Sequence, residues 1–482
     1  MDPPDLPRSY YAGLMDGPES PAARFIRMSR VSPATLFLFL SIGFGLTFIA
    51  LSPPFQAPDE PAHFLRSWAI SEGKVRSESA PGAIRGAYVP RALLDTIRLF
   101  FGPSPHARSL PADLKVLRAA FEMPLEPDDR VFIAAPGHRL SPRISYSAAG
   151  YPPMGYLPSS AAILGGRLLE ASPVALLYAA RVTNLLLGTF IGWLAIRRTP
   201  WLRWSFAWCL LLPMAVYMRG SVNPDSLLIS LAFLVAAEVL RVASSTSGGF
   251  PLWLLAATAL FGAIKPGYPL VPLLGLAIPP HRLGGGWRWV RYAAALLTVV
   301  ALGIAITFAF LQGAKTATHG SVEEESASRL QAVIAAPAAF TLRATAFWLD
   351  ELGLRMEEFV GNLGWLDTRL PSVAVLLALW VLFALSQVDG MRGRPGLRGA
   401  AAALFLTTIA LLTLHTHLAS RPEHFIDGFQ GRYLLPLAPL LLVAAGRRTE
   451  RLDQPALPAG VAVLAFLLLA TASFVLFGRY WG

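Results

Sequence analysis

Long apolar runs recur from residue 31 to residue 477 and leave little room for any other organisation. A run of about 20 apolar residues crosses about 30 Å of hydrocarbon as a helix, which satisfies its own backbone hydrogen bonds where water is absent. Hydrophobic residues make up 54% of the chain and charged residues only 15%, more apolar surface than a soluble domain can hide. The sequence therefore predicts an all-α polytopic membrane protein. The net charge of +11 does not point to nucleic acid. The arginines sit in short connections between apolar runs, where membrane orientation places them. The single cysteine, Cys209, lies inside an apolar run, so no internal disulfide or cysteine-based metal site is available.

Residues 1–30 are Pro-rich and polar and carry Arg8, Arg24, Arg27 and Arg30. They read as a disordered cytoplasmic tail. The run 31–51 lacks a small-residue cleavage site and reads as an uncleaved first span that exits outside, opening a transmembrane domain over 31–482. A first outer loop, 52–173, holds juxtamembrane helices. Residues 59–73 form one of them, with Asp59 as N-cap and Phe64, Leu65, Trp68 and Ala69 as an apolar stripe.

Residues 152–169 are apolar but broken by Pro and Gly, and charge decides their placement. If they crossed, Arg197, Arg198 and every later arginine-rich connection would lie outside. If they lie along the outer face or re-enter, spans at 174–196, 205–219, 226–243, 250–264, 267–280, 290–311, 371–387, 399–418, 433–446 and 458–477 put those arginines inside. A second long outer loop then covers 312–370, and the C-terminus lies outside. The result is about eleven spans, four of them short (205–219, 250–264, 267–280 and 433–446). Gly188 and Gly192 form a GxxxG pair suited to close helix packing.

This topology gathers acids, bases and aromatics on the outer face. Asp59 and Glu60 follow the first span. As bland residues they cap a helix and complement its dipole; as functional ones they supply a general base at the membrane boundary, with His63 and Arg66 one turn on. Asn223 and Asp225 make a turn that either caps a span or faces Asp59 as a second acid. Lys265, one of four lysines, sits against the positive-inside trend, and a phosphate partner accounts for it. Arg219, Asp367, Arg421, His424, Gln430, Arg432 and Tyr433 lie on the same face, where arginine and tyrosine either anchor at the interface or clamp a lipid phosphate. Arg181 lies inside a span and requires a bundle-facing partner, whereas Glu238 reads as snorkelling. His415 and His417 do not share a helix face and do not suggest a metal pair. No GxSxG, HExxH, P-loop or dinucleotide fingerprint is present, which removes support for serine hydrolase, zincin and NTPase readings.

The stretch Pro54-Phe55-Gln56-Ala57-Pro58-Asp59-Glu60-Pro61-Ala62-His63-Phe64 resembles the signature after the first span of a bacterial membrane-protein family of unknown function that looks related to the GT-C glycosyltransferases. Asn223-Pro224-Asp225-Ser226, Gly364-Trp365-Leu366-Asp367-Thr368 and Gln430-Gly431-Arg432-Tyr433-Leu434-Leu435-Pro436 are similar to it as well. The resemblance implies a GT-C-like bundle with an active site at the outer leaflet and a sugar on a polyprenyl phosphate as donor. It carries the catalytic acid over to Asp59, with Glu60 beside it, and a second acid to Asp225. Pro152-Pro153-Met154-Gly155-Tyr156 looks like the Pro-Pro-Leu-x-Tyr opening of a juxtamembrane helix in related transferases, with Met in place of Leu.

The expected activity is inverting transfer of one sugar to a glycan or lipid acceptor of the cell envelope, outside the cytoplasmic membrane of a bacterium. Asp59 or Glu60 acts as base, and cations from Lys265, Arg432, Arg219 and Arg66 meet the leaving phosphate. No cofactor is certain. A divalent ion on Asp59 and Asp225 is an alternative to the cationic side chains. The partners are membrane lipid, the lipid-linked donor and the acceptor, with no nucleic acid. The rival readings are a transporter or flippase of lipid-linked glycan, which calls for mid-membrane charge and internal symmetry, and a non-catalytic envelope assembly protein whose outer acids are caps.

Overall fold

The computed structural model describes residues 32–81, 84–101, 112–134, 146–246, 248–265, 267–314, 320–420, 423–447 and 456–482. The tail 1–30 and Arg421 fall outside the described residues. Six helices are long and apolar enough to cross a membrane: α1 (Pro33–Leu51), α6 (Pro173–Arg198), α9 (Asp225–Ser244), α11 (Gly286–Gly313), α15 (Pro395–Ala419) and Pro458–Tyr480 within α17 (Ala456–Tyr480). α12 (Gly320–Ala335) and α13 (Pro337–Gly361) meet at a bend of 105° and make a seventh if counted as one broken span. Shorter apolar helices are α10 (Leu252–Gly262), α14 (Ser372–Val388) and the stretch Gly431–Ala445. The protein is thus a mostly helical, multi-pass membrane protein.

The helix starts follow from local chemistry. Ser32 and Ser172 each accept a hydrogen bond from a backbone N–H three residues on, and Pro33 and Pro173 follow them at the first helical position, where a missing N–H costs nothing. α9 is the central helix, 94% buried, while α11 and α15 are 22% buried and face outward. Its apolar flank packs on α6. A Cβ at Gly188 of α6 would stand 2.8 Å from the Ser226 carbonyl of α9, and one at Gly192 2.8 Å from the Phe37 ring of α1, which explains the small residues at these positions.

Three of the short apolar runs are not continuous helices. Run 205–219 is α7 (Arg203–Leu210) and α8 (Pro213–Arg219), interrupted where Pro213 withholds its N–H. Run 267–280 is a 3-10 turn, Val271–Ala277, between prolines. Run 433–446 is a 3-10 turn, Gly431–Leu437, containing Pro436, followed by α16 (Ala438–Ala445).

The long connection between α1 and α6 contains more than helices. α2 (Glu60–Ser71) follows α1 closely, and an antiparallel sheet of β1 (Glu78–Ala80), β2 (Ile84–Pro90) and β3 (Arg130–Ala134) lies beyond it. Helices α3 (Arg91–Phe101) and α4 (Leu114–Glu122) come between β2 and β3. The helical reading of this loop missed the sheet. Stretch 152–169 forms a 3-10 turn, Pro153–Tyr156, and α5 (Leu157–Leu168), which at 12 residues is about 18 Å long and too short to cross hydrocarbon. A cluster of Phe55, Phe64, Leu65, Trp68, Ile163, Leu176 and Leu177 locks α2 against α5 and α6. The stretch 312–370, expected as a second outer loop, is mostly α12 and α13, closed by a hairpin of β4 (Asn362–Leu363) and β5 (Thr368–Arg369).

Candidate functional site

The two adjacent acids after α1 point in opposite directions. Glu60 is fully buried and takes Arg181 in a two-pronged ion pair, Nε to Oε1 at 2.9 Å and Nη2 to Oε2 at 2.5 Å. It also accepts the Val222 N–H at 3.1 Å. Arg181 donates its remaining bonds to the Ser52 and Pro53 carbonyls. Glu60 is therefore the partner that the sequence required for Arg181, and it fastens α2 to α6 and to the turn before α9.

Asp59 occupies the N-cap position of α2 without capping it. Its backbone is left-handed, at φ 60°, and its side chain makes no cap hydrogen bond. Such a conformation costs most residues on the order of 1 kcal/mol and concentrates at functional positions. Phe55, four residues earlier, is left-handed as well (φ 64°). The turn delivers the Asp59 carboxylate to Arg432, with Oδ2 at 2.7 Å from Nη2. The Asp59 side chain stays 47% exposed while that of Arg432 is 2% exposed, and Oδ1 accepts no hydrogen bond among the described residues.

Beside this pair stands a second one. Asp225 opens α9, and its Oδ1 is 2.8 Å from the Lys265 ammonium. Asn223 joins the two pairs. Its Nδ2 donates to the Pro58 carbonyl (3.3 Å), and its Oδ1 accepts the Asp225 N–H (2.9 Å). Pro224 fits against Gly155 so closely that a Cβ there would stand 2.9 Å away, which brings the Pro152–Tyr156 stretch to the site. Tyrosines form the walls. The Lys265 ammonium is 5.1 Å from the Tyr433 ring and 5.9 Å from that of Tyr151, and the Arg432 guanidinium is 5.6 Å from Tyr433, distances that suit cation–π contact. The Tyr268 hydroxyl donates to the Tyr433 carbonyl, and His63 Nδ1 is 2.8 Å from the Tyr156 hydroxyl.

The charges follow from these neighbours. Burial raises the Asp59 carboxyl, but Arg432 above all, with His63 and Lys265, outweighs it and holds the group below its ordinary value. Burial pushes His63 down to about 4, so the ring is neutral at pH 7. Burial also works against the Lys265 ammonium, and Asp225 more than restores it.

The other expected site residues have different duties. Arg66 is buried and donates to the Val75 and Tyr151 carbonyls and the Tyr146 hydroxyl. It braces the walls. Arg219 points into the bundle, to Ser41 and the Leu210 carbonyl, with its guanidinium 5.2 Å from the Phe37 ring. Asp367 turns the β4–β5 hairpin, accepting the Trp365 N–H and pairing with Arg479. Gln430 accepts the Tyr433 N–H on its backbone carbonyl, while its side-chain Oε1 is buried without a partner. His424 is exposed. Glu238 does not snorkel: it is buried and held by Arg198 and Arg241.

Glu358, on α13, was not singled out from sequence. It is buried, accepts the Gly431 N–H at 2.5 Å and is gripped by Arg355, so α13 sets the position of Arg432. Tyr151, Tyr156 and Tyr268 were likewise not assigned to the site. The Pro-Pro-Met-Gly-Tyr stretch was the only sequence signal for the first two. Among the described residues no group of three or more His, Cys, Asp and Glu is placed to hold a metal ion, and each carboxylate of the site already faces a cationic side chain.

An apolar cleft of about 170 Å³ opens beside Lys265. Phe261, Tyr268, Ile304, Thr307, Phe308 and Leu311 line it, between α10 and α11 on the outward side of the bundle. The arrangement as a whole places one half-exposed carboxylate, the buried Arg432 guanidinium, the partly buried Lys265 ammonium and aromatic walls at the end of an apolar cleft.

Residues 33–441 match the model of a family described as predicted membrane protein (DUF2142). No curated protein and no solved structure matches the chain.

Proposed function

The chain belongs to the DUF2142 family of predicted membrane proteins, and on that premise we propose that it is a GT-C-like glycosyltransferase of the bacterial cytoplasmic membrane. It has about eleven crossings, a cytoplasmic N-terminus and its site at the outer leaflet. The donor is a sugar on a polyprenyl phosphate, and the acceptor is a hydroxyl of an envelope glycan or lipid. The observation that carries the reading is the half-exposed Asp59 carboxylate, held in a left-handed turn against Arg432, within the field of Lys265. The apolar cleft that begins at Lys265 has the character a prenyl chain requires.

Asp59 takes the proton from the acceptor hydroxyl. The acceptor oxygen bonds to the anomeric carbon from the face opposite the phosphate, the bond between that carbon and the phosphate oxygen breaks, and polyprenyl phosphate leaves with both electrons. The transition state is oxocarbenium-like and the configuration inverts. Arg432 and Lys265 offset the charge that grows on the departing phosphate. Glu60 holds the loop and takes no part in proton transfer, because both of its oxygens are committed to buried donors.

Purified protein supplied with sugar-loaded polyprenyl phosphates and membrane extract as acceptor is expected to release polyprenyl phosphate. Asp59→Asn lowers the rate about 10²–10⁴-fold, the usual contribution of a general base, and stays folded. Absence of turnover with any donor, together with full cellular function of Asp59→Asn, would remove the enzyme reading.

A further inference from the structure

Arg432 is incompletely satisfied for a guanidinium this deeply buried. One nitrogen, Nη2, holds Asp59 Oδ2. Nη1 has only the Met218 thioether, at 3.7 Å, a weak acceptor. Nε is buried with no partner among the described residues. An arginine presents five donors in a planar fork suited to two oxygens of one phosphate, and here one carboxylate oxygen occupies one tine. The loop that carries it is fixed from below: Gly431 N–H is held by Glu358, and a Cβ on Gly431 would lie 2.0 Å from the Arg355 carbonyl. Asp59, by contrast, is the exposed member of the pair, and no cap hydrogen bond to the helix ties its side chain down.

From this geometry we infer that Asp59 is an internal counter-ion which a phosphorylated ligand displaces from Arg432, so that phosphate binding and release of the carboxylate are one event. The inference rests on the reading of the site as one that takes a lipid phosphate, and it gives that site an order of events. In the empty site Asp59 is tied to Arg432 and is a weak base. When a phosphate takes the guanidinium, Asp59 Oδ2 loses its donor and its strongest stabilising charge, and the carboxylate becomes more basic beside the ligand it serves. A site without phosphate therefore holds its base in check. Lys265 keeps its own partner, Asp225, throughout.

The test needs binding alone. Farnesyl phosphate, which carries no sugar, is titrated into the full-length protein in detergent, and affinity is read by calorimetry for wild type, Asp59→Asn, Arg432→Gln and the double variant. Close charge pairs couple strongly. Asp59→Asn is expected to tighten binding about tenfold by removing the competitor, and Arg432→Gln to weaken it by at least as much. In the double variant the gain from Asp59→Asn disappears, because it acts through Arg432. A gain of equal size in both backgrounds reports general charge removal and overturns the exchange, as does weaker binding by Asp59→Asn or no binding by any of the folded proteins. Thermal melts identify variants that fail to fold, and Arg432→Met, uncharged and of similar length, then replaces Arg432→Gln, with the same loss of coupling expected. A protein that shows the coupling yet turns over no sugar donor keeps the exchange and loses the transferase.

Discussion

Glu60→Gln should damage the fold far more than Asp59→Asn, although the two acids are neighbours and differ by one methylene. Glu60 is 0% exposed and receives three buried donors: Arg181 Nε, Arg181 Nη2 and the Val222 N–H. Replacing the carboxylate with an amide removes the charge opposite Arg181, which is itself 1% exposed. It also presents an NH₂ group where one of those donors now points. Breaking a buried ion pair from one side costs about 3–5 kcal/mol, chiefly because the surviving charge stays buried. Asp59→Asn keeps an acceptor oxygen within reach of Arg432 and alters a side chain that is already 47% exposed, so about 1 kcal/mol is expected. Thermal unfolding in detergent, followed by the loss of the monodisperse peak, reads both. The paired replacement Glu60→Leu with Arg181→Met should recover much of the loss, since a well-packed apolar pair in place of a buried ion pair is often neutral. A Glu60→Gln protein as stable as wild type, or an Asp59→Asn protein as unstable as Glu60→Gln, would show that the division of labour between the two acids is wrong.

Gly431→Ala should displace the loop that carries Arg432, because its Cβ would meet the Arg355 carbonyl at 2.0 Å; a loss of about 1–3 kcal/mol is expected on melting, with weaker farnesyl phosphate binding. His63 gives a pH signature. The unfolded chain takes up this proton near the ordinary value of 6.5 and the folded chain only at about 4, so stability is fully present above pH 6.5 and declines as pH falls towards 4, by on the order of 3 kcal/mol. His63→Gln should flatten the melting temperature across that window, and an unchanged slope would exclude His63 as its source. Cysteine tags at the exposed positions His424 and Arg392 in a Cys209→Ser background should react with an impermeant reagent on the outer and cytoplasmic faces respectively, and the reverse labelling would leave the proposed site on the wrong side.

What the sequence could disclose depended on how local the cause was. α1, α6, α9, α11 and α15 follow from runs of apolar residues, and the starts of α1 and α6 from the local pairs Ser32-Pro33 and Ser172-Pro173. The breaks at Pro213 and Pro436 were equally local, yet an apolar run hides them, because hydropathy does not register a missing N–H. The sheet between α2 and α5 was missed because β1 has three residues and β3 five, and their stability comes from pairing with β2. The ion pairs lay beyond any local pattern. Glu60 and Arg181 are 121 residues apart, and Asp59 and Arg432 are 373 apart. Nothing in Asp59-Glu60 says which acid turns inward. That is decided by the left-handed backbone at Asp59, and only the folded neighbours impose it.

The left-handed turn at Asp59 sets a conflict inside the molecule. Glycine tolerates such a backbone without steric penalty, so Asp59→Gly would relieve on the order of 1 kcal/mol of backbone strain, but it would leave the Arg432 guanidinium buried with no carboxylate opposite it, which costs more. The strained turn is therefore kept in place by a cation 373 residues further along the chain. A chain that keeps the acid here accepts a tenser turn in exchange for a neutralised arginine.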